Sequence, residues 1–151
     1  MLIRNATTFD VPAIAEIESI CLGEDPWSEA SLISHVSDPM CLTKLALLDG
    51  KIVGYISGRM IPNEAEIYRV ATLPSHRRMG VGATLLSAFL GSAAAHGCDT
   101  FFLEVRASNS VAQGLYTSHG FVKTATRKNY YRSPQEDAVI YTLHLEEVVS
   151  C

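Results

Sequence analysis

From Met79 to Cys98 the chain runs for twenty residues without an Asp, Glu, Lys or Arg. A charge-free run of that length invites a membrane-spanning reading. Its composition argues otherwise. It holds Gly80, Gly82, Gly91 and Gly97 together with Thr84, Ser87, Ser92 and His96. Its large apolar residues, Val81, Leu85, Leu86, Phe89 and Leu90, recur on one side at helical spacing. The pattern predicts a helix over Gly80–His96 with one apolar stripe and a back of small residues, closed by Gly97. Such a stripe must lie on a second layer. The flanks supply it: Ala65–Leu73 reads as a strand stopped by Pro74, and Thr100–Arg106 as a buried strand through Phe101, Phe102, Leu103 and Val105.

The remaining elements fall around this unit. Leu2–Ala6 reads as a short strand, and Asp10 as the cap of a helix to about Leu22 whose apolar face is Val11, Ile14, Ile17 and Cys21. Ser28 caps a second helix to about Ser37, ended by Pro39. Cys41–Leu48 and Lys51–Met60 flank Asp49-Gly50, a type I′ hairpin signal. Asn109 or Ser108 caps a helix through Ser118, and Phe121–Tyr131 and Ala138–Leu145 are the last strands. The order β-α-α-β-β-β-α-β-α-β-β predicts an α/β fold. Its sheet is mixed and mostly antiparallel, flanked by helices, with one parallel neighbour pair at its middle. At 151 residues the expectation is a single domain, 1–151.

Charge narrows the partners. The net charge of −4 disfavours a chain devoted to nucleic acid, which needs a basic face. Residues 1–66 carry ten acids against four bases, and residues 67–151 six against eight, so an anionic ligand suits the second part. The four cysteines, Cys21, Cys41, Cys98 and Cys151, form no C-x-x-C pair, and with five scattered histidines they give no zinc spacing. No metal is expected, and the thiols read as free in a reducing cytoplasm. Met1-Leu2-Ile3-Arg4-Asn5 lacks the basic and apolar regions of a signal peptide, and no membrane association is expected.

Arg77-Arg78-Met79-Gly80-Val81-Gly82-Ala83 sits between the strand and the long helix. A helix N-terminus presents unpaired N–H groups and about half a positive charge. Glycines let a phosphate approach the backbone, and two arginines add fork-shaped donors. Together these suit a diphosphate. The Walker loop is excluded because no Lys follows, and the dinucleotide fingerprint because Leu85 stands where its third glycine belongs.

R-x-x-G-x-G after a strand and Pro74 resembles the acetyl-CoA diphosphate loop of the GNAT acetyltransferase superfamily. Leu103-Glu104-Val105-Arg106-Ala107-Ser108-Asn109, Leu115-Tyr116 and Gly120-Phe121 resemble the bacterial ribosomal-protein-alanine N-acetyltransferases of that superfamily. So do Pro26-Trp27-Ser28-Glu29, Arg127-Lys128-Asn129-Tyr130-Tyr131 and Glu136-Asp137-Ala138. The resemblance implies acetyl transfer from acetyl-CoA to the N-terminal α-amine of a protein, an N-terminal alanine of a small-subunit ribosomal protein. It implies Glu104 as general base and Tyr116 as the acid for the departing thiolate. Backbone at Val70, Ala71 and Thr72 would pair with the pantetheine arm. Arg77, Arg78, Met79, Gly80, Val81, Gly82 and Ala83 would hold the diphosphate, and Asn109 would contact the cofactor. Thr72 departs from the Val such enzymes often carry, which matters little if only backbone bonds there. A transferase for small amines or lysine, and a CoA-binding module without catalysis, share the same loop.

The chemistry of an N-terminus is consistent with this machinery. An α-amine, with pKa about 7.7–8.0, is roughly one-tenth neutral at pH 7, whereas lysine is neutral in well under a thousandth. A partly desolvated carboxylate such as Glu104, on an otherwise apolar strand, suffices as base. Trp27, Tyr130 and Tyr131 are candidates to grip the peptide, as aromatics joining apolar area to a polar handle, with simple packing the alternative. Asn109 serves equally as a helix cap. Arg127, Lys128 and Arg132 read as a solvated face. Glu24, Asp25 and Glu29 can attract a cationic N-terminus, although a solvated face is the simpler account.

Overall fold

The long helix and the strands beside it form where the pattern puts them. The structure is a computed structural model and describes residues 1–22, 26–132 and 134–145. In chain order the strands are β1 (Leu2–Asn5), β2 (Cys41–Leu48), β3 (Lys51–Ile61), β4 (Glu64–Thr72), β5 (Thr100–Arg106), β6 (Val122–Tyr131) and β7 (Glu136–His144). The helices are α1 (Val11–Cys21), α2 (Glu29–Ser37), α3 (Val81–Ala95) and α4 (Ser110–Ser118). One sheet runs β1-β2-β3-β4-β5-β7-β6. Only β4 and β5 pair in parallel; the other neighbours are antiparallel.

Local chemistry explains most ends. Ser28 Oγ accepts the Ser31 N–H and Asn109 Oδ1 accepts the Ala112 N–H, so both polar caps form. Asp49 and Gly50 both have positive φ, 50° and 77°, as a type I′ turn requires. Gly97 closes α3 at φ 93°. Asp10 departs from its expected part. It occupies the N-cap of α1, but its side chain makes no cap bond there. Instead its carboxylate takes two 2.8 Å bonds from the Arg4 guanidinium and one from the Thr7 N–H. That pairing holds its pKa down at about 2 and ties β1 to the start of α1.

The helices cover the sheet unevenly. α3 and α4 lie on one face over Ile56, Ile67, Phe101, Leu103, Val105 and Tyr141. On the other face α1 and α2 pack Val11, Ile14, Ile17 and Leu32 against Leu45, Tyr55 and Ala71. This second layer stops near β4, and β6 is exposed along nearly its whole length.

Two glycines of β3 bring α3 close. A Cβ at Gly54 would fall 3.0 Å from Val81 Cγ1, and one at Gly58 2.6 Å from Phe89 Cζ and nearer still to the Glu66 carbonyl oxygen. At Gly58 the β3–β4 register slips: Ser57 faces Arg69 while Gly58 faces Ile67, so Tyr68 is the extra residue of a bulge. The bulge breaks the alternation of β4. Ala65, Ile67 and Val70 meet the α3 face, whereas Tyr68, Arg69 and Ala71 all meet the other.

Gly58→Ala is therefore expected to cost about 2–3 kcal/mol in urea unfolding, because backbone and a core ring stand in the way. Gly91→Ala, on α3 with nothing within 4 Å of the added carbon, should leave stability unchanged or raise it by up to about 1 kcal/mol.

Candidate active site

β4 and β5 share ladder positions only from Glu64 with Thr100 to Ile67 with Leu103. Beyond that, β4 continues to Thr72 against β3 alone, and β5 to Arg106 against β7 alone. The parallel pair thus parts at its carboxyl end. The β5-facing edge of Tyr68–Thr72 becomes an open strand edge inside the molecule, able to receive an extended chain by strand addition. Val70, Ala71 and Thr72 lie on this edge. The Thr72 carbonyl is partly engaged already, accepting from Cys21 Sγ at 3.4 Å and from Arg77 Nε at 3.2 Å.

The glycine loop stands at the same end. Pro74–His76 make one 3-10 turn, and Arg78 and Gly80 then take left-handed conformations, φ 64° and 78°. Gly80, the expected first residue of the helix, is instead the N-cap of α3, which begins one residue later at Val81, and it has no side chain to cap with. The first helical bond runs from Thr84 N–H to Gly80 O, which leaves the N–H groups of Val81, Gly82 and Ala83 without intrahelical partners. A Cβ at Gly80 would touch nothing within 4 Å. Glycine is needed there for its positive φ, and the space in front of the amides is open. A Cβ at Gly82 would meet Leu115 Cδ2 at 3.4 Å, so this glycine serves the approach of α3 to α4. The alternation of left- and right-handed residues with a free helix start is an anion-binding nest. An acyl-CoA, with a diphosphate for the nest and an extended arm for the open edge, fits both features.

Next to the split lies a cleft of about 770 Å³ lined by Trp27, Glu66, Ile67, Tyr68, Arg69, Glu104, Arg106, Tyr130, Tyr131 and Arg132. Glu104, Trp27, Tyr130 and Tyr131, all singled out in the sequence, come together here. Glu104 is 19% exposed and its Oε1 lies 3.4 Å from Arg127 Nε. Tyr130 hydrogen-bonds Glu104, and that bond, more than burial, raises the Tyr130 pKa. Tyr116 arrives from α4 on the opposite face and is buried among the rings of Phe121 and Tyr141. Burial pushes its phenol up to about 12, with a smaller push from Tyr131. Tyr131 is likewise held at about 12, by burial first and then by Glu104. Tyr131 is thus a neighbour of both Glu104 and Tyr116. Asn109 lies apart from this group as the cap of α4, its Nδ2 end not engaged by that bond.

One expectation needs correcting. Arg127 and Arg132 are not merely a solvated face: Arg127 pairs with Glu104 and stacks 5.3 Å over Tyr130, and Arg132 lines the cleft. A register shift between Arg127 and Tyr131, with Asn129 at φ 55°, turns this end of β6 toward the cleft. The Asn129 N–H is held by Asp137 Oδ1 at 2.9 Å. Arg106 does not pair with Glu104. It holds the β6–β7 connection through Glu136, Arg132 O and Pro134 O and lies 4.5 Å over the Tyr131 ring. Glu24 and Asp25 lie outside the described residues.

Sequence reasoning missed the opposite wall. Glu18 of α1 is fully buried and accepts from the Tyr55 hydroxyl and the Trp27 N–H. Arg69 Nε stands 3.4 Å from Glu18, and its guanidinium lies 4.7 Å over the Trp27 ring. The Trp27, His35 and Tyr68 rings pack mutually at 5.2–6.0 Å. Glu18 follows Ile17 on the helix's apolar side, which was the available signal. Among the described residues no group of three or more His, Cys, Asp or Glu can hold a metal ion. No helix there is long and apolar enough to cross a membrane.

Comparison with known proteins agrees with this architecture. The acetyltransferase (GNAT) family matches residues 11–121. The chain is 34% identical over 143 residues to the [ribosomal protein bS18]-alanine N-acetyltransferase of Escherichia coli K12, covering 93% of this chain and 95% of that protein. It is 33% identical over 142 residues to N-alpha-acetyltransferase RimI of Mycobacterium tuberculosis, covering 91% and 87%. The crystal structure of the Escherichia coli ribosomal-protein-S18-alanine N-acetyltransferase superposes with a TM-score of 0.90 at 32% identity, covering 97% of this chain and 94% of that one. The chain belongs to the GNAT acetyltransferase family and is an acetyl-CoA-dependent N-acetyltransferase, which sets aside a non-catalytic CoA module.

The buried phenol of Tyr116 and the half-buried one of Tyr131 make the fold sensitive to alkali. An unfolded tyrosine loses its proton near pH 10, whereas Tyr116 and Tyr131 keep theirs to about 12. Their contribution is full below pH 10 and is lost as pH rises toward 12. With both titrating, the slope stays below about 2.7 kcal/mol per pH unit, and the half-buried Tyr131 contributes the smaller share because solvent screens it. Denaturant titrations across this window should show it, and Tyr131→Phe should remove less than half.

Proposed function

We propose that this enzyme acetylates the N-terminal α-amine of a protein, an N-terminal alanine of a small-subunit ribosomal protein, with Glu104 as base and Tyr116 as acid. The observation that carries the reading is the conjunction at one sheet opening of an uncapped glycine nest, a bare strand edge and an aromatic cleft holding a carboxylate. The substrates named for the relatives support the choice of acceptor. Both substrates meet in the cytoplasm, where the reading puts the enzyme.

Acetyl-CoA supplies an acyl group activated as a thioester. Residues 77–83 hold its diphosphate, the backbone of Val70, Ala71 and Thr72 pairs with its pantetheine arm, and Asn109 adds a polar contact. The acceptor's N-terminus enters between Trp27 on one side and Tyr130 and Tyr131 on the other. Glu104 takes a proton from the amine, directly or through water. The nitrogen lone pair forms the new bond to the acetyl carbon as the carbon–sulfur bond breaks, and Tyr116 donates to the departing sulfur. A phenol held at about 12 gives up its proton uphill to a thiolate whose thiol titrates near 8.5. Tyr116 therefore works first as a donor that stabilises charge growing on sulfur, in a site dry enough to make that bond strong. The proton follows as the thiol departs, and solvent restores the phenol.

The test is acetylation of a peptide panel differing only in the first residues, with mass spectrometry to locate the mark. Peptides beginning with alanine should acquire one acetyl group on the α-amine and none on lysine. Glu104→Gln should lower kcat by about a hundredfold or more, and Tyr116→Phe by about tenfold or more, with the acetyl-CoA KM little changed. Turnover on a small amine with none on any peptide N-terminus would move the enzyme to metabolite chemistry.

A further inference from the structure

Three of the five charged side chains that line the cleft are matched from within, and Arg132 is one that is not. Arg69 has Glu18 at 3.4 Å, Arg106 has Glu136 at 3.3 Å, and Arg127 has Glu104 at 3.4 Å. Glu66 is the unmatched carboxylate, and no ion pair joins it to Arg132. It lines the same cleft, half-buried, and no cationic side chain among the described residues lies within ion-pair distance of it. Its place is set by the parallel ladder. Glu66 stands opposite Phe102, and Glu104 follows two residues later on the same side of β5, so the two carboxylates are near neighbours just before the strands part.

This arrangement is costly in the free protein. Burial and the Glu104 charge both work against an ionised Glu66, and Arg127, already paired with Glu104, offsets only part of it. A buried carboxylate without a cation of its own is compensated when a ligand brings one. Tyr68 lines the same cleft, and an aromatic ring attracts a cation; the Trp27 and Tyr130 rings there already carry Arg69 and Arg127. An acceptor α-amine is roughly nine-tenths protonated at pH 7.

We infer that Glu66 is the carboxylate that receives the acceptor's α-ammonium, so that the enzyme selects a peptide by the charge of its free N-terminus before Glu104 removes the proton. The inference rests on the N-terminal reading above and adds its recognition element. It assigns Glu66 a role different from that of Glu104. An ammonium anchor strengthens binding of the charged acceptor without taking part in bond making. Its loss therefore raises KM and leaves kcat unchanged or slightly higher, whereas loss of a base lowers kcat.

Two measurements test this. The first uses an alanine-initiated peptide and its analogue with a hydroxyl in place of the α-amine, each titrated calorimetrically into the enzyme loaded with CoA, which permits no turnover. The wild type should bind the amine about tenfold more tightly. Glu66→Gln should bring the two within about twofold, and Glu66→Asp should restore part of the preference. The second is steady-state kinetics, in which Glu66→Gln should raise the peptide KM about fivefold to twentyfold with kcat held within about twofold. CoA affinity and melting temperature report an intact fold, and Glu66→Thr supplies the same comparison should Gln disturb it. An unchanged amine preference, or a fall in kcat at constant KM, overturns the inference while acetylation of peptide N-termini stands. A wild type inactive on every peptide N-terminus removes the functional reading, and the inference with it.

Discussion

β4 and β5 pair through Ile67 and Leu103 and then separate, β4 staying with β3 and β5 with β7. An unpaired strand edge inside a protein leaves backbone donors and acceptors that require partners. Around this opening the molecule assembles the rest: the nest at the start of α3, Tyr116 from one face of the sheet, and Glu66 and Glu104 from the other. The bulge at Tyr68 belongs to the same design. By shifting the alternation of β4 it turns both Tyr68 and Arg69 toward the cleft, where a regular strand would direct only one of them.

The aromatic walls are held by buried or half-buried ion pairs. Glu18 and Arg69 fix Trp27 through a backbone N–H and a ring face. Arg106 and Glu136 fix Tyr131 and the β6–β7 connection. Buried pairs of this kind add little net stability, because desolvation consumes most of the Coulomb gain. Their value here is geometric: a planar guanidinium against a ring and a carboxylate sets the ring's orientation more firmly than apolar packing does.

Much of the fold was legible in the chain. β2 and β5 begin and end where the alternation and flanking turns put them, and Ser28 and Asn109 cap the helices as expected. The boundaries that moved, such as Gly80 leaving the helix for its N-cap and β7 beginning at Glu136, lie where tertiary pairing decides the last residue. In the site, Glu104, Trp27, Tyr130 and Tyr131 were visible because they fall in motifs, and the structure brings them into one cleft. Glu18, Glu66, Arg69 and the pairing of Arg127 were not visible. A charged residue on a helix or strand has the same local signature whether its partner is water or a distant side chain.

The sequence by itself determined the layers, the glycine loop at the mouth of α3 and the family, because periodicity, turn chemistry and motif spacing are properties of neighbours along the chain. Tertiary structure alone decided where β4 and β5 part and which arginine meets which carboxylate. It also decided that Glu66, beside Glu104, has no ion-pair partner among the described residues. Ion pairing and desolvation depend on groups within a few ångströms in space, and these come from elements as far apart in the chain as α1, β4 and β6.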